Sequence, residues 1–476
     1  MKKKILIFII LLLIPVMVIA EPPAKPGDNR NNTNVSYKGA STLTSNDTLD
    51  NKKYSSSTGG ENALLISNAE VTISNSTVLK SGDESSENSD FYGTNAGILA
   101  YNNGVLIFNN GEIITNGTHA NGVFAIGTGH IKINNSKITT TGNNSGGIMV
   151  TGNGKLDAKN LTVKTSGNSS AAIRSDRGGG TLTVEEGTYE TSGMGSPSIY
   201  STANISVKNA TLLSNSSEGI VIEGSNSVSL DNVTLTDTNN TLNGNSETYK
   251  NIFLYQSMSG DADVGKSTFT AKDSTITTNK GDTFFVTNTT AEINLEGNAF
   301  TNTDGDFLRI QTGKWGKSGS NGGIVTLNAT NQLINGNMII DNISTLDLNL
   351  KGETKLTGAI NSDNKAKKVT LSLEKNSIIS LTNNTYVNSL ENEDSDNNNI
   401  YSNGYKLYVD GKEIKTNEGT LKVEKDSGVK AEEGPSVLDI ISSNIIIIIA
   451  IILVIIILIV LIILKKRKND NKKVAF

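Results

Sequence analysis

The chain has no cysteine. That excludes disulfides, thiolate metal sites and a cysteine nucleophile. Its two histidines, His119 and His130, cannot supply a histidine-rich metal centre. Proline occurs 6 times and tryptophan once in 476 residues. Outside the basic C-terminal run, arginine is confined to Arg30, Arg174, Arg177 and Arg309. No two aspartates are adjacent, and no LPxTG-like sorting motif is present. What is abundant is Asn, Ser, Thr and Gly. Such a composition accompanies disorder when apolar residues are scattered, but here they recur at fixed spacing.

The two ends are different. MKKKILIFIILLLIPVMVIA has a basic start, an apolar middle and a small residue, Ala20, at its end. Residues 1–20 are expected to be a secretory signal peptide. Ile445 to Leu464 is an unbroken apolar run, long enough as a helix to cross about 30 Å of hydrocarbon. KKRKNDNKK follows at once, and such clusters stay cytoplasmic. Residues 445–464 are therefore expected to be a transmembrane helix, 465–476 a cytoplasmic tail and 425–444 a charged stalk. The expected localisation is a single-pass cell membrane protein with a large N-terminal domain outside. Without signal and tail, 33 cations face 46 anions, a net charge of −13. A surface of that sign repels phosphate backbones, so nucleic acid is not an expected partner.

Between the ends lies a repeat. GIMVTGNGKLDAKNLTVKTSGNSS is followed by AAIRSDRGGGTLTVEEGTYETSGMGS, with few identities but one rhythm. If the first apolar residue of each central pair is position x, the column reads Val71, Leu106, Ile131, Leu156, Leu182, Ile205, Val228 and Phe269. Position x+2 reads Ile73, Phe108, Ile133, Ala158, Val184, Val207, Leu230 and Ala271. Position x+7 reads Val78, Ile113, Ile138, Val163, Tyr189, Leu212, Leu235 and Ile276. Eight residues before x, or nine in the unit of Leu182, several units carry Ile98, Val123, Ile148 and Ile173. Alternation within each pair means strands with one buried face. Three short strands per unit, separated by Gly, Asn or Ser, close into one coil of a parallel β-helix. The fold class is all-β, with roughly a dozen coils about 60 Å tall.

One column is polar. Position x+4 reads Asn75, Asn110, Asn135, Asn160, Glu186, Asn209, Asn232 and Asp273. Asn tolerates the left-handed backbone of a tight turn, and stacked amides can bond in a ladder. The six asparagines are the expected structural ladder, which Glu186 interrupts.

This arrangement resembles the right-handed, pectin-lyase-like parallel β-helix over roughly residues 60–390. Right-handedness also follows from the strong preference of parallel crossovers. INGNMIIDNISTLDLNLKGETKLTGAI, SLEKNSIISLTNNTYVNSLENED and NIYSNGYKLYVDGKEI resemble the closing segment of prokaryotic adhesin-like surface proteins. The expected domains are a polar segment or cap at 21–60, a β-helix at 61–390 and a cap hairpin at 391–424, turning at Asp410-Gly411. Extra residues at Ser81 to Phe91, Thr236 to Lys250 and 313–323 are expected to emerge as loops on one face.

No constellation specifies catalysis, a cofactor or a metal. The pectin-lyase-like resemblance raises polysaccharide lyases and hydrolases, yet the paired aspartates that such hydrolases use are missing and arginine is scarce. The strongest cluster is Asp304, Asp306 and Arg309 in NTDGDFLRI, beside Arg174, Asp176 and Arg177 in AAIRSDRGGG. In each, a carboxylate could orient a guanidinium for a sugar acid, but a solvated turn with a local ion pair is the favoured reading of both. SGDADVG has two aspartates but no calcium-loop repeat. Trp315, in a Gly/Lys/Ser insertion, could stack on a sugar or cover a gap. N-x-S/T sequons such as Asn160-Leu-Thr overlap the ladder. The expected function is non-enzymatic recognition or adhesion at a cell surface, with a glycan or surface protein as ligand. A carbohydrate-active enzyme of the pectate-lyase-like class and a passive coat or stalk are the alternatives.

Overall fold

The computed structural model describes residues 35–242, 248–257 and 259–421. The expected signal peptide at 1–20, and the stalk, membrane span and tail expected at 425–444, 445–464 and 465–476, lie outside the described residues. Among the described residues, no helix is long and apolar enough to cross a membrane.

The described chain is an all-β parallel solenoid of about 15 turns. At about 4.8 Å per coil it rises roughly 70 Å. Each coil has three faces. The first-face strands form a 12-stranded sheet running from Gly39–Leu43 to Met338–Ile340. The second and third faces join into a 22-stranded sheet, because single strands such as Gly154–Thr165 and Gly180–Thr191 bend through the corner between them.

The apolar columns of the sequence are the columns of the core. Val71 pairs with Leu106, Leu106 with Ile131, Ile131 with Leu156 and Leu156 with Leu182. Every residue named above at x, x+2, x+7 and in the column before x is buried. Strand alternation points these side chains inward, and stacking puts each on its equivalent in the next coil. Letters are free because the interior requires only apolar volume.

The x+4 column sets the corner. All eight positions have positive φ, from 47° at Asn135 and Asp273 to 62° at Glu186. Asn160 Nδ2 donates to Asn135 Oδ1 at 2.9 Å, and Asn232 Nδ2 to Asn209 Oδ1 at 2.8 Å. Asn75 Nδ2 instead donates to Asp50 of the coil below, at 2.7 Å. Glu186 fits because the corner demands a left-handed backbone first and an amide second. It is followed by Gly187 at φ 98°.

Two further columns hold the opposite corner, where TSG recurs. Ser145 Oγ accepts from the Ala120 N–H, Ser170 Oγ from Ser145 N–H and Ser196 Oγ from Ser170 N–H, each at 2.9 Å. Beside them, Gly142 and Gly167 lie so close to the previous coil that a Cβ would stand 1.9 Å from a carbonyl oxygen.

The solenoid extends beyond the repeat legible in the sequence. Its first coil, Gly39–Leu43, Asp47–Asp50 and Lys53–Ser56, falls within the stretch expected as a polar segment or cap. After Ile324, coils continue to Ile400–Tyr401, inside the stretch expected as a cap. The end is closed by an antiparallel pair, Leu407–Val409 with Lys412–Ile414, turning through Asp410 and Gly411 at φ 47° and 73°.

Candidate functional site

The outward side of the first face carries the chemistry. Leu65, Leu99, Phe124 and Met149 stack there and are buried. Tyr37 packs on them, as does the 81–97 insertion. The insertion contains helix α1 (Glu87–Tyr92), whose Ser86 side chain caps Asn88 N–H and whose C-cap is Gly93 at φ 70°. A Cβ on Gly93 would stand 2.6 Å from the Phe124 ring. The insertion can cross the sheet this closely only with glycine there.

Further along, the same outward column turns polar: Met149 pairs with Arg174, and Arg174 with Tyr200. Arg174 forms a buried ion pair with Asp176 at 3.1 Å. Burial pushes the Asp176 carboxyl up to about 6, against the pull of Arg174. Arg177, at the exit corner of that coil, reaches Asp261 at 2.7 Å. Its guanidinium also sits 3.5 Å above the Phe91 ring of α1. Glu223 accepts from Tyr200 Oη at 2.6 Å, Tyr255 Oη at 2.9 Å and Ser257 Oγ. Burial, with the Glu223 charge nearby, holds both tyrosines well above their ordinary pKa; Tyr255 adds to the rise at Tyr200, whereas a hydrogen bond with Tyr200 opposes it at Tyr255. Insertions from both edges of the first face thus meet over it.

Trp315 stands beside this cluster. Its ring is half-buried, 6.1 Å from Tyr255, which stacks on Phe253 at 4.5 Å. Asn321 Nδ2 donates to the Trp315 carbonyl at 2.9 Å, which fixes the insertion. The tryptophan extends an aromatic row and remains partly open to solvent.

The sequence cluster around Arg309 is partly assembled. Arg309 Nη2 contacts Asp306 at 2.5 Å, and its Nε donates to Asp282 Oδ2 at 2.6 Å. Asp282, from the preceding coil, had no signal in the sequence, because the pairing exists only once coils stack. Asp304 is not part of this group. It is exposed, and its Oδ1 accepts from Gly281 N–H at 2.6 Å, which pins a turn. Burial raises Asp306 above the ordinary carboxyl value, opposed by Arg309.

The histidines also find carboxylates: His119 Nδ1 lies 2.9 Å from Asp90, and His130 Nε2 2.7 Å from Asp157. Buried atoms without a hydrogen-bond partner at the site include Arg174 Nη1, Asp90 Oδ1 and Asn321 Oδ1. Among the described residues, no group of three or more His, Cys, Asp or Glu converges to hold a metal ion. Asp176 and Asp261 are engaged by guanidinium groups, Glu223 by hydroxyls and Asp90 by the His119 ring. The surface they build is suited to binding through aromatic and polar contact. Sequence reasoning missed Asp261, Tyr200, Glu223 and Tyr255. Their only trace was the two-aspartate SGDADVG string. Compared with protein-family models, curated proteins and solved structures, the chain matches none of them.

Proposed function

We propose that this protein is a membrane-anchored surface solenoid that recognises a glycan or surface protein without catalysis. The observation that carries the reading is the meeting of insertions over one face of the solenoid. They frame Arg177 and the half-buried Trp315, which rests on buried Tyr255, around carboxylates already engaged by arginine or hydroxyl groups. Aromatic rings and a fixed guanidinium suit the apolar faces and acidic groups of sugars. The anchoring part rests on the residue pattern of 1–20 and 445–476. A right-handed coil and kinship of architecture with pectin-lyase-like and adhesin-like proteins belong to the same proposal.

One observation favours the enzyme alternative: Asp176, at about 6, has an acid's poise beside Glu223 and its tyrosines. A polysaccharide panel separates the readings. The proposal expects the purified chain to be retained on at least one polymer with no product released. Trp315→Ala should then weaken retention about tenfold, equivalent to about 1.4 kcal/mol. Product release would establish the enzyme, and no retention on any glycan or surface-protein bait would establish a passive stalk.

A further inference from the structure

The third face ends, in most coils, on a buried hydroxyl. Thr140, Thr165, Thr191 and Ser214 stack in register and are buried. Where the corner is short, each hydroxyl has a use. Thr140 Oγ1 donates to the Ser145 carbonyl at 2.6 Å, Thr165 Oγ1 to Ser170 at 2.5 Å and Ser214 Oγ to Ser217 at 2.9 Å. The next position is Asp237, which pairs with Ser214 on one side and Thr278 on the other. A carboxylate only accepts, so it cannot replace the donor. Asp237 is 0% exposed, and both of its oxygens are buried; the Asn239 backbone N–H approaches the carboxylate without completing a hydrogen bond.

It is not the only such group at this corner. Asn239 and Asn251 are buried, and the Oδ1 of each also lacks a partner. Their amide orientations are fixed by carbonyls that accept from the nitrogen side. Asn239 Nδ2 donates to the Lys250 carbonyl at 3.0 Å, and Asn251 Nδ2 to the Thr277 carbonyl at 3.1 Å and Thr278 Oγ1 at 3.0 Å. Thr278 lies in the coil of Asn251, one step beyond Asp237. With its nitrogen held there, Asn251 turns Oδ1 toward the coil of Asp237. That oxygen stands 2.2 Å from where a Cβ on Gly219 would be, so only glycine leaves it room. Glu218, next to Gly219, is buried as well; it pairs with the buried Lys250 ammonium at 3.6 Å and accepts from Ser217 Oγ at 2.7 Å, while its charge acts on Asp237.

Buried oxygens of this kind are nearly always satisfied, and leaving several unsatisfied together costs heavily. A hard cation would satisfy them at once. We propose that Asp237, Asn239 and Asn251 bind a calcium-class divalent cation inside this corner of the solenoid. Carboxylate and amide oxygens are the ligands such an ion takes, and its coordination of six to eight leaves room for water. Magnesium, which demands near-ideal octahedral geometry, fits a two-amide, one-carboxylate set less well. The competing occupant is a proton.

The test uses the purified full-length chain stripped with a chelator. Calcium, magnesium and potassium are titrated separately by calorimetry, and melts are recorded with calcium and with chelator. The proposal expects one saturable calcium site per chain. It also expects a rise in Tm of about 3–5 °C when calcium is near 100 times its Kd. Asp237→Asn should weaken calcium binding more than tenfold and abolish the shift. Its Tm in chelator should equal or exceed that of the parent, because a neutral amide replaces the buried carboxyl. Asn239→Ala, a second route should the first variant misfold, should weaken binding at least tenfold. Absence of calcium binding by the parent chain would overturn the proposal and leave a protonated Asp237. So would binding unchanged in both variants.

Discussion

Asn160 Nδ2 donates to Asn135 Oδ1 across 2.9 Å, and both residues hold a left-handed backbone, at φ 50° and 47°. The hydrogen bond is exposed to solvent, so its net worth is small. The backbone conformation carries most of the cost of substitution. Asn160→Ala should destabilise by about 1–2 kcal/mol. Asn160→Gly should cost less, since glycine accepts positive φ. Lys159→Ala should stay within about 0.5 kcal/mol, since its contact with Glu185 at 3.2 Å is an exposed pair. Chemical denaturation of the three variants checks the order. An alanine no worse than glycine at 160 would contradict it.

Ile133 is fully buried, with Phe108 and Ala158 as its neighbours in register. Ile133→Asp should cost several kcal/mol, because no cation faces that column. The expected outcome is a melt lowered by many degrees, or failure to fold. A melt like that of the parent would mean that the side chain does not point inward.

Glycine at 142 is required by contact. A Cβ there would stand 1.9 Å from the Gly117 carbonyl oxygen, and coil stacking prevents retreat. Gly142→Ala should cost about 3 kcal/mol or more. Gly127 provides the contrast, with φ at 61° and nothing within 4 Å of a new Cβ. Gly127→Ala should cost only about 1 kcal/mol of backbone strain. Equal denaturation midpoints for the two variants would refute the contact argument.

Lys80 occupies the hydroxyl column, in register with Ser56 and Thr115. Its Nζ donates to the Thr58 carbonyl at 2.8 Å and the Gly82 carbonyl at 3.0 Å. Burial pushes its ammonium down to about 8, although Glu61, Asp83 and Glu84 oppose this. The folded pKa lies below the unfolded value of 10.5, so the unfolded chain binds more protons in between. Stability should therefore rise with pH from about 8 to about 10.5 through this group. Lys80→Thr should remove that rise and stabilise the protein at neutral pH. Melts of both forms across this window decide it, since a slope shared by both would exclude Lys80 as the source.

Much of the fold was legible because a solenoid repeats local rules. Ile131 and Leu156 needed only to be apolar at the right spacing, and Asn135 only to tolerate a left-handed turn. Those demands act within one coil, so they leave a period in the sequence. The glycine column at 117, 142 and 167 was periodic too, but its cause, contact with the coil below, is not visible in one unit.

The sequence by itself determined strand spacing, the inward columns, the corner residues and the apolar segment at 445–464. Only the tertiary structure decided which polar residues meet. Arg177 finds Asp261 across 84 positions of sequence, Arg309 finds Asp282 one coil back, and Asp304, close by in sequence, turns away to a backbone amide. Insertions carry no period, and stacking joins residues separated by whole coils. The partners of a charged side chain are therefore fixed by where the coils and loops come to rest.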